Sequence, residues 1–330
     1  MKFTLSLCMA VTFPLLAVEP VMSENFNTTE KMPPAVQGMN KHASLQPEKI
    51  GSGARLLEMK PGASVQFKRV PVQQGVKYRL TFNARSVGPD SLEENPQLAE
   101  AFYDANRSVK GLVLPKWNLT FFDSEGKHCD RSILFPYFHV ILSSAEQVCS
   151  EVFYPPWNAA FVQLSLQNLS PDNIAYIDDV RIAPFTESAV NINPDFKLGK
   201  YDHSGYSQAG YGIDICMEKH PSGNGQCLAV NTWCSIDPFP VTGGKNYVLD
   251  ARLVPDPKQG ARIVVAFSDR NGKTIPNCGG TLLVKNAEGG GKTNFIAPPD
   301  AAFVRYLIHG GRNVKFEYIR FYPQDIAIEK

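Results

Sequence analysis

The chain has 330 residues, of which 43% are hydrophobic and 20% are charged. These fractions are typical of a folded protein and exclude wholesale disorder, and at roughly 100–200 residues per domain the length predicts two domains. Thirty-three Lys and Arg against 32 Asp and Glu leave a formal net charge of +1. This net charge is too small to argue for binding to nucleic acid or to an anionic membrane through bulk charge.

The first 23 residues have the pattern of a secretory signal peptide, with a lysine near the start, an apolar run over residues 3–18 and small residues after it. The run is shorter than about 20 residues and contains Pro14, which argues against a membrane anchor. No later segment is long and apolar enough to span a bilayer. We predict cleavage between Ala17 and Ser23 and a secreted mature protein, extracellular or periplasmic.

The cysteines indicate disulfide bonds, because an even number remains once Cys8 leaves with the signal peptide and the compartment is oxidising. The remaining six are Cys129, Cys149, Cys216, Cys227, Cys234 and Cys278. If pairing stays within each half of the chain, Cys129 pairs with Cys149. The second half allows three connectivities, of which we favour Cys216–Cys227 with Cys234–Cys278. No cysteine or histidine spacing indicates a zinc site.

Four short blocks of the first half return in the same order in the second half. Pro71 to Tyr78 matches Pro240 to Tyr247 at the Pro, Val, Gly and Tyr positions. The other matched blocks pair 121–127 with 267–273, 155–162 with 298–304, and 180–184 with 319–323. Such ordered self-similarity indicates a tandem duplication, so we predict one domain over residues 24–187 and a second over 188–330.

The repeated segments alternate apolar and polar residues and are separated by turn residues, as in 78–84 and 160–166. Many short strands of this kind predict an all-β fold, with two antiparallel β-sandwiches in tandem. One helix is predicted at 96–107, where Asn95 is a suitable N-cap and Pro96 suits the first turn. It lies in a stretch, 86–116, that is much longer than its counterpart in the second domain.

The repeated motifs resemble those of a known family. Pro-Val-x-x-Gly-x-x-Tyr-x-Leu, Phe-x-Asp-x-x-Gly-Lys, Pro-Pro followed by Ala-Ala-Phe-Val, and Ile-Asp-Asp-Val-Arg-Ile are similar to motifs of the family 4/9 carbohydrate-binding modules. These modules belong to the galactose-binding-like jelly-roll superfamily. The likeness spans nearly all of residues 24–330 in two copies. It implies two jelly-roll modules that recognise a polysaccharide or oligosaccharide.

Members of this family often hold a structural calcium ion, and the resemblance implies Asp178 as a calcium ligand in the first domain. Strand parity with Val180 and Ile182 predicts that Asp178 points inward, where a bare carboxylate is costly and a hard cation would satisfy it. The alternative is that Asp178 caps backbone N–H groups of a neighbouring loop. In the second domain Glu317-Tyr318 stands in place of Asp178-Asp179, which puts a second calcium site in doubt.

Strand parity also predicts a sugar-binding face on the first domain, opposite the core positions Tyr78, Leu80 and Phe82. Amide and guanidinium groups can hydrogen-bond sugar hydroxyls, and aromatic rings can stack on the apolar faces of sugar rings. A plain solvated face or an interface with the second domain is the alternative. The predicted carbohydrate-binding residues are Asn83, Arg85, Asn118, Phe122, Phe161, Gln163, Gln167 and, in a loop, Trp157.

Three functional hypotheses follow. The leading one is a secreted, non-catalytic protein that binds a polysaccharide through two modules. The second is a structural or adhesive surface protein that uses the same fold. The third is a β-sandwich polysaccharide lyase or glycosidase with its site in the first domain. The sequence predicts no catalytic residues, since the six histidines are scattered and none lies near a plausible nucleophile–acid pair in the sequence.

Overall fold

A computed structural model describes most of the chain. The described residues are 19–28, 32–48, 54–88, 116–129, 146–187, 189–197, 206–208, 215–223, 225–236, 238–256, 260–285, 290–311 and 314–325. Every regular element among them is a β-strand, which confirms the predicted all-β fold. The predicted helix at 96–107 and the apolar run at 3–18 lie outside the described residues. Within the described ranges no helix is long and apolar enough to cross a membrane.

Two antiparallel sheets form the first domain. One layer has the order β3-β4-β11-β7-β9, with β1 also paired to β11, and is here called layer A. The other has the order β2-β5-β10-β6, with β8 also on β10, and is called layer B. The strands are β1 Met22–Glu24, β2 Val36–Met39, β3 Ala43–Pro47, β4 Arg55–Met59, β5 Ser64–Phe67, β6 Val70–Pro71, β7 Tyr78–Val87, β8 Lys116–Phe122, β9 Gln147–Phe153, β10 Phe161–Gln167 and β11 Ile174–Pro184.

The second domain is built from one long sheet of eleven strands that folds over its own core. Its order is β12-β15-β21-β18-β19-β20-β17-β22-β14-β13, with β16 also paired to β21. The strands are β12 Tyr206–Gln208, β13 Ile215–Lys219, β14 Gln226–Val230, β15 Trp233–Ile236, β16 Phe239–Pro240, β17 Asn246–Leu253, β18 Gly260–Ser268, β19 Thr274–Lys285, β20 Gly290–Ile296, β21 Phe303–Gly310 and β22 Val314–Pro323.

The core of the first domain follows the alternation of its strands. Along β7 the side chains of Tyr78, Leu80, Phe82 and Ala84 are between 0% and 3% exposed, and the residues between them are half-buried. Val162, Leu164 and Leu166 of β10 face them from layer B with 0–2% exposure. The parity prediction for these core residues is confirmed. Truncation of one such large side chain to alanine costs about 2–5 kcal/mol of stability.

Individual hydrogen bonds recur at equivalent positions of the two domains. The Gln73 N–H donates to the Tyr78 hydroxyl at 3.0 Å, and the Thr242 N–H donates to the Tyr247 hydroxyl at 2.8 Å. The repeated Asp of the Phe-x-Asp-x-x-Gly-Lys block accepts two turn N–H groups in each copy, all at 2.9 Å. Equivalent residues therefore make equivalent contacts, and the repeat in the sequence is a repeat in structure.

The buried Lys77 of the first domain binds the segment that connects the two domains, which contains Glu187, Ala189 and Asn191. The Lys77 ammonium donates to the Glu187 carboxylate at 2.7 Å and to the carbonyl oxygens of Ala189 and Asn191 at 3.1 and 3.0 Å. The Lys77 side chain is only 5% exposed. Burial lowers its pKa, and the Glu187 carboxylate acts against that shift. A buried charge with three acceptors holds this segment in one position.

The first sheet includes residues at the end of the predicted signal peptide. Met22 and Ser23 form strand β1 with Glu24, and Met22 lies opposite Ile182 of β11 with 5% exposure. The Val21 N–H donates to the Ile182 carbonyl at 2.9 Å. Val21, Met22 and Ser23 are thus part of the first sheet, and the cleavage site between Ala17 and Ser23 stays a prediction.

The predicted disulfides are not formed among the described residues. Cys129 follows β8 of layer B and Cys149 lies in β9 of layer A, so these two cysteines belong to different sheets. Cys234 in β15 and Cys278 in β19 are separated by strands β21 and β18. The side chain of Cys216 lies outside the described residues.

Candidate functional site

The structure divides the predicted sugar-binding residues between two opposite surfaces. Asn83 and Arg85 lie in β7 of layer A, whereas Asn118, Phe122 and the β10 residues belong to layer B. The prediction of one shared face is wrong. Parity states whether a side chain points toward or away from the core, but it does not state which of the two layers carries the strand.

In layer B the predicted residues are largely occupied by the protein itself. Gln163 is 4% exposed, and its amide nitrogen donates to Gln37 at 2.7 Å and to the Phe67 carbonyl at 2.8 Å. The Gln163 oxygen accepts from Gln66 at 3.1 Å. The side chain fills the break in the sheet where β5 ends and β6 begins, so its polar atoms are committed to holding layer B together.

The aromatic pair of layer B is also partly covered. Phe122 lies opposite Phe161 in the sheet and is 9% exposed, with the Arg69 guanidinium 3.5 Å from its ring centre. Phe161 is half-buried, and so is Gln167 at the far end of β10. Asn118 is exposed and contacts Thr120 at 3.3 Å. Layer B thus offers separate polar and aromatic groups rather than a row of them.

The outer surface of layer A carries a continuous row of hydrogen-bonding groups across four strands. Ser44 of β3 lies opposite Glu58 of β4, Glu58 opposite Tyr176 of β11, and Tyr176 opposite Arg85 of β7. Neighbouring strands are about 4.8 Å apart, so this row is roughly 14 Å long. We call these four residues the layer A row. It is long enough for more than one sugar ring.

Tyr176 is the centre of the layer A row. The Arg85 guanidinium lies 4.8 Å from the centre of its ring, and its hydroxyl donates to Glu58 Oε2 at 3.4 Å. Burial, and then the Glu58 carboxylate, raise the pKa of the Tyr176 hydroxyl. The hydroxyl therefore remains a donor at neutral pH. The ring is half-buried and is fixed between a cation and an anion.

Further polar groups surround Glu58. The Gln46 amide donates to Glu58 Oε1 at 3.3 Å and to the Ser44 hydroxyl at 3.1 Å, and the Lys60 ammonium lies 3.6 Å from Glu58 Oε1. The Glu58 side chain is 12% exposed, whereas that of Lys60 is 56% exposed. The cluster combines a carboxylate, an amide, a hydroxyl, two cations and one aromatic ring on a single face. These are the groups that bind the hydroxyls and ring faces of a sugar.

Asp178 does not point inward as predicted. The pairing of β11 with β7 shifts between Asp178 and Arg181, and Asp179 has a φ of 49°. This bulge reverses the parity, so Asp178 lies on the outer surface with Tyr176, opposite Asn83. Burial first, then the nearby carboxylates of Asp179, Glu48 and Glu146, raise the pKa of Asp178. Among the described residues no group of three or more His, Cys, Asp or Glu side chains is arranged to hold a metal ion.

Trp157 lies away from both surfaces, in the loop between β9 and β10. Its ring contacts the second domain, with Phe303 edge-on at 6.3 Å and the Arg270 guanidinium 4.9 Å from its ring centre. It is still 38% exposed. The structure therefore separates Trp157 from the other predicted binding residues.

The second domain has a similar arrangement, which is not among the predicted binding residues. The Arg320 guanidinium lies 4.4 Å from the ring centre of Tyr318, and the Tyr318 hydroxyl donates to Asp250 at 3.3 Å. Arg320 also donates to Asp195 at 2.6 Å. Tyr318 lies on β22 opposite Arg252 of β17, so this group occupies the outer surface of the equivalent strand pair.

Strand parity does not predict two of the three residues Tyr176, Glu58 and Tyr318. Tyr176 shares parity with Val180 and Ile182, which predicts an inward side chain, and the bulge at Asp179 reverses it. Glu58 lies on β4, which contains none of the repeated motifs. Tyr318 has the opposite parity to the core residues Ile319 and Phe321, and this signal does predict an outward side chain.

No protein-family model matches the chain, and no curated protein sequence matches it. Among solved structures the chain is similar to the tandem CBM22-1-CBM22-2 domain of Paenibacillus barcinonensis Xyn10C, with 10% identity and a TM-score of 0.33 over 93% of this chain and 98% of that one. It is also similar to the CBM22-1 xylan-binding domain from the same protein, with 11% identity and a TM-score of 0.32 over 52% and 97%. The CBM22-1-GH10 modules of Clostridium thermocellum Xyn10B complexed with xylohexaose match at 14% identity and a TM-score of 0.31 over 53% and 30%. These likenesses are too distant to assign a function.

Proposed function

We propose that the protein binds carbohydrate, and that the layer A row of the first domain is its main contact with a polysaccharide. The observation that carries the proposal is the half-buried Tyr176 ring held between the Arg85 guanidinium and the Glu58 carboxylate. An aromatic ring in a fixed orientation can stack on a sugar ring, and the flanking charged groups can bind its hydroxyls.

The free energies expected for these contacts correspond to a modest affinity for the polysaccharide. A stacked aromatic contributes about 0.5–1.5 kcal/mol beyond its buried area, and a hydrogen bond to a charged group about 1.5–3 kcal/mol. A few such contacts, less the cost of ordering the ligand, give dissociation constants in roughly the micromolar to millimolar range. Because 1.4 kcal/mol corresponds to a tenfold change, loss of one such contact is measurable.

We extend the proposal to both domains. The Tyr318 group of the second domain repeats the combination of ring, guanidinium and carboxylate. Two modest sites on one chain raise the apparent affinity for a long polymer through effective concentration. We propose that the protein is secreted and retains its polysaccharide without cleaving it.

Affinity electrophoresis of the full chain in gels that contain xylan, mannan, mixed-linkage β-glucan or dextran tests the proposal. Retarded migration in at least one gel, with no release of sugar fragments from the same polysaccharide in solution, is the expected result. Unretarded migration in every gel would remove the support for carbohydrate binding. Retardation together with fragment release would show an enzyme rather than a binding protein.

A further inference from the structure

A cleft of about 1010 Å³ lies between the two domains. Its volume is at the upper end of the range, about 300–1,000 Å³, that is typical of small-molecule sites, and such sites favour domain interfaces. Its walls come from both domains and include Gln74 and Trp157 from the first and Lys245, Arg270, Asn271 and Asp300 from the second.

Hydrogen bonds join the segment between the domains to residues of both domains beside the cleft. The Tyr154 hydroxyl donates to the Val190 carbonyl at 2.7 Å, and the Val190 N–H donates to the Phe321 carbonyl of the second domain at 2.7 Å. The Asn191 amide donates to the Ile319 carbonyl at 2.7 Å. Together with the Lys77 contacts, these bonds connect the segment between the domains to each domain in turn.

Trp157 is the distinctive residue of the cleft. The Ala159 N–H closes a turn on the Pro156 carbonyl with Trp157 as its second residue, and the corresponding turn of the second copy, from Pro298 to Ala301, has Pro299 at that position. The same turn therefore forms without an indole, so the fold does not require Trp157. More than a third of the residue, 38%, is exposed although Arg270 and Phe303 both contact it. An exposed indole in the lining of a cleft offers a flat apolar ring on which a cyclic ligand can stack.

The charge of the cleft limits the kind of ligand. Its lining contains two cationic side chains, Lys245 and Arg270, and two acidic ones, Asp269 and Asp300. Asp269 is already committed to its own turn, where its Oδ1 accepts the N–H groups of Asn271 and Lys273. A balanced, hydrogen-bonding lining beside an indole suits a neutral ligand with many hydroxyls better than a phosphate, a nucleic acid or an apolar chain.

We infer that the cleft between the domains is a further carbohydrate-contact site, with Trp157 as the ring on which a neutral sugar stacks. This inference rests on the proposed function and adds to it a site that involves both domains. A polymer that contacts the layer A row and the cleft would be held at separate points on one chain. The gain in retention then depends on whether one polymer can reach both points at once.

The fluorescence of Trp157 can report whether a ligand covers its indole ring. Trp117 is 5% exposed and Trp233 is half-buried, so among the tryptophans Trp157 is the most exposed to a soluble quencher. We would measure acrylamide quenching of the full chain with and without xylohexaose, cellohexaose and mannohexaose. Protection of the emission by at least one hexasaccharide is expected. The Trp157→Phe variant should lose that protection, and Arg270→Ala, which leaves the indole in place, should weaken hexasaccharide binding about three- to tenfold.

The control is Ile296→Ala, which removes a side chain that is 71% exposed and lies outside the cleft lining. It should leave the protection unchanged. Absence of protection by all three hexasaccharides, in a chain whose retardation in polysaccharide gels still depends on Tyr176, would overturn the cleft site and leave the proposed function standing. Protection that depends on Trp157, in a chain whose retardation does not depend on Tyr176, would support the cleft and reject the layer A row.

Discussion

The Arg85 guanidinium lies 4.8 Å from the centre of the Tyr176 ring, on the strand directly beside it. In the second domain the Arg320 guanidinium lies 4.4 Å from the centre of the Tyr318 ring, with both residues on β22. The two pairs are not equivalent positions of the repeat, because Tyr318 aligns with Asp179 and Arg320 with Arg181. An arginine–tyrosine pair with a carboxylate on the hydroxyl therefore occurs on both domains from different residues, which supports a shared role.

Gln163 should behave as a structural residue. Gln163→Ala removes an amide that is 4% exposed and leaves the Phe67 carbonyl without that donor. The free energy of unfolding is expected to fall by about 1–3 kcal/mol, measured by urea denaturation. Asn118→Ala in the neighbouring strand is the control, because Asn118 is exposed and should change stability by no more than about 0.5 kcal/mol. A stable Gln163→Ala variant with weakened polysaccharide binding would show that Gln163 contacts the ligand instead.

Lys77 should control the position of the segment between the domains. Lys77→Met keeps the aliphatic length but removes the ammonium from Glu187 and from two carbonyls. Removal of one partner of a buried pair costs about 3–5 kcal/mol. We expect a lower unfolding free energy and a broader distribution of domain separations in small-angle X-ray scattering. The exposed pair of Lys127 and Glu125 provides the control, and Lys127→Met should change neither quantity.

Asp178 should oppose folding at neutral pH. Its pKa is raised, chiefly by burial, so the folded state binds its proton more tightly than the unfolded state does. Protonated Asp178 therefore makes its full contribution to the free energy of unfolding below its ordinary pKa. That contribution is lost as the pH rises through the raised pKa. We expect Asp178→Asn to be at least as stable as the wild type at pH 7 and to lose this advantage at pH 3.

Thermal unfolding at both pH values, with and without added calcium, measures the effect of Asp178. Glu125→Gln, a change at an exposed carboxylate, is the control. Lower stability of Asp178→Asn only when calcium is present would contradict this prediction and would support the calcium role that the family resemblance implies.

Much of the fold could be predicted from the sequence, because alternation along β7 and β10 depends only on local side-chain period. The surfaces could not be predicted in the same way. Assignment of Asn83 to layer A and Gln163 to layer B depends on which strands pair, and this is a property of the whole chain. The orientation of Asp178 depends on one bulge at Asp179, and a single positive φ reversed the predicted parity.

The layer A row is tested by the binding of two matched variants, Tyr176→Ala and Phe161→Ala. Both remove one half-buried ring from the outer surface of a central strand of the first domain, one in layer A and the other in layer B. We would measure the retardation of each in gels of the polysaccharide that retards the wild type, after checking that its thermal unfolding is cooperative. Tyr176→Ala should weaken the affinity about tenfold, and Phe161→Ala should leave it within about twofold of the wild type. Unchanged affinity in Tyr176→Ala, with a loss in Phe161→Ala, would place the polysaccharide on layer B and reject the layer A row.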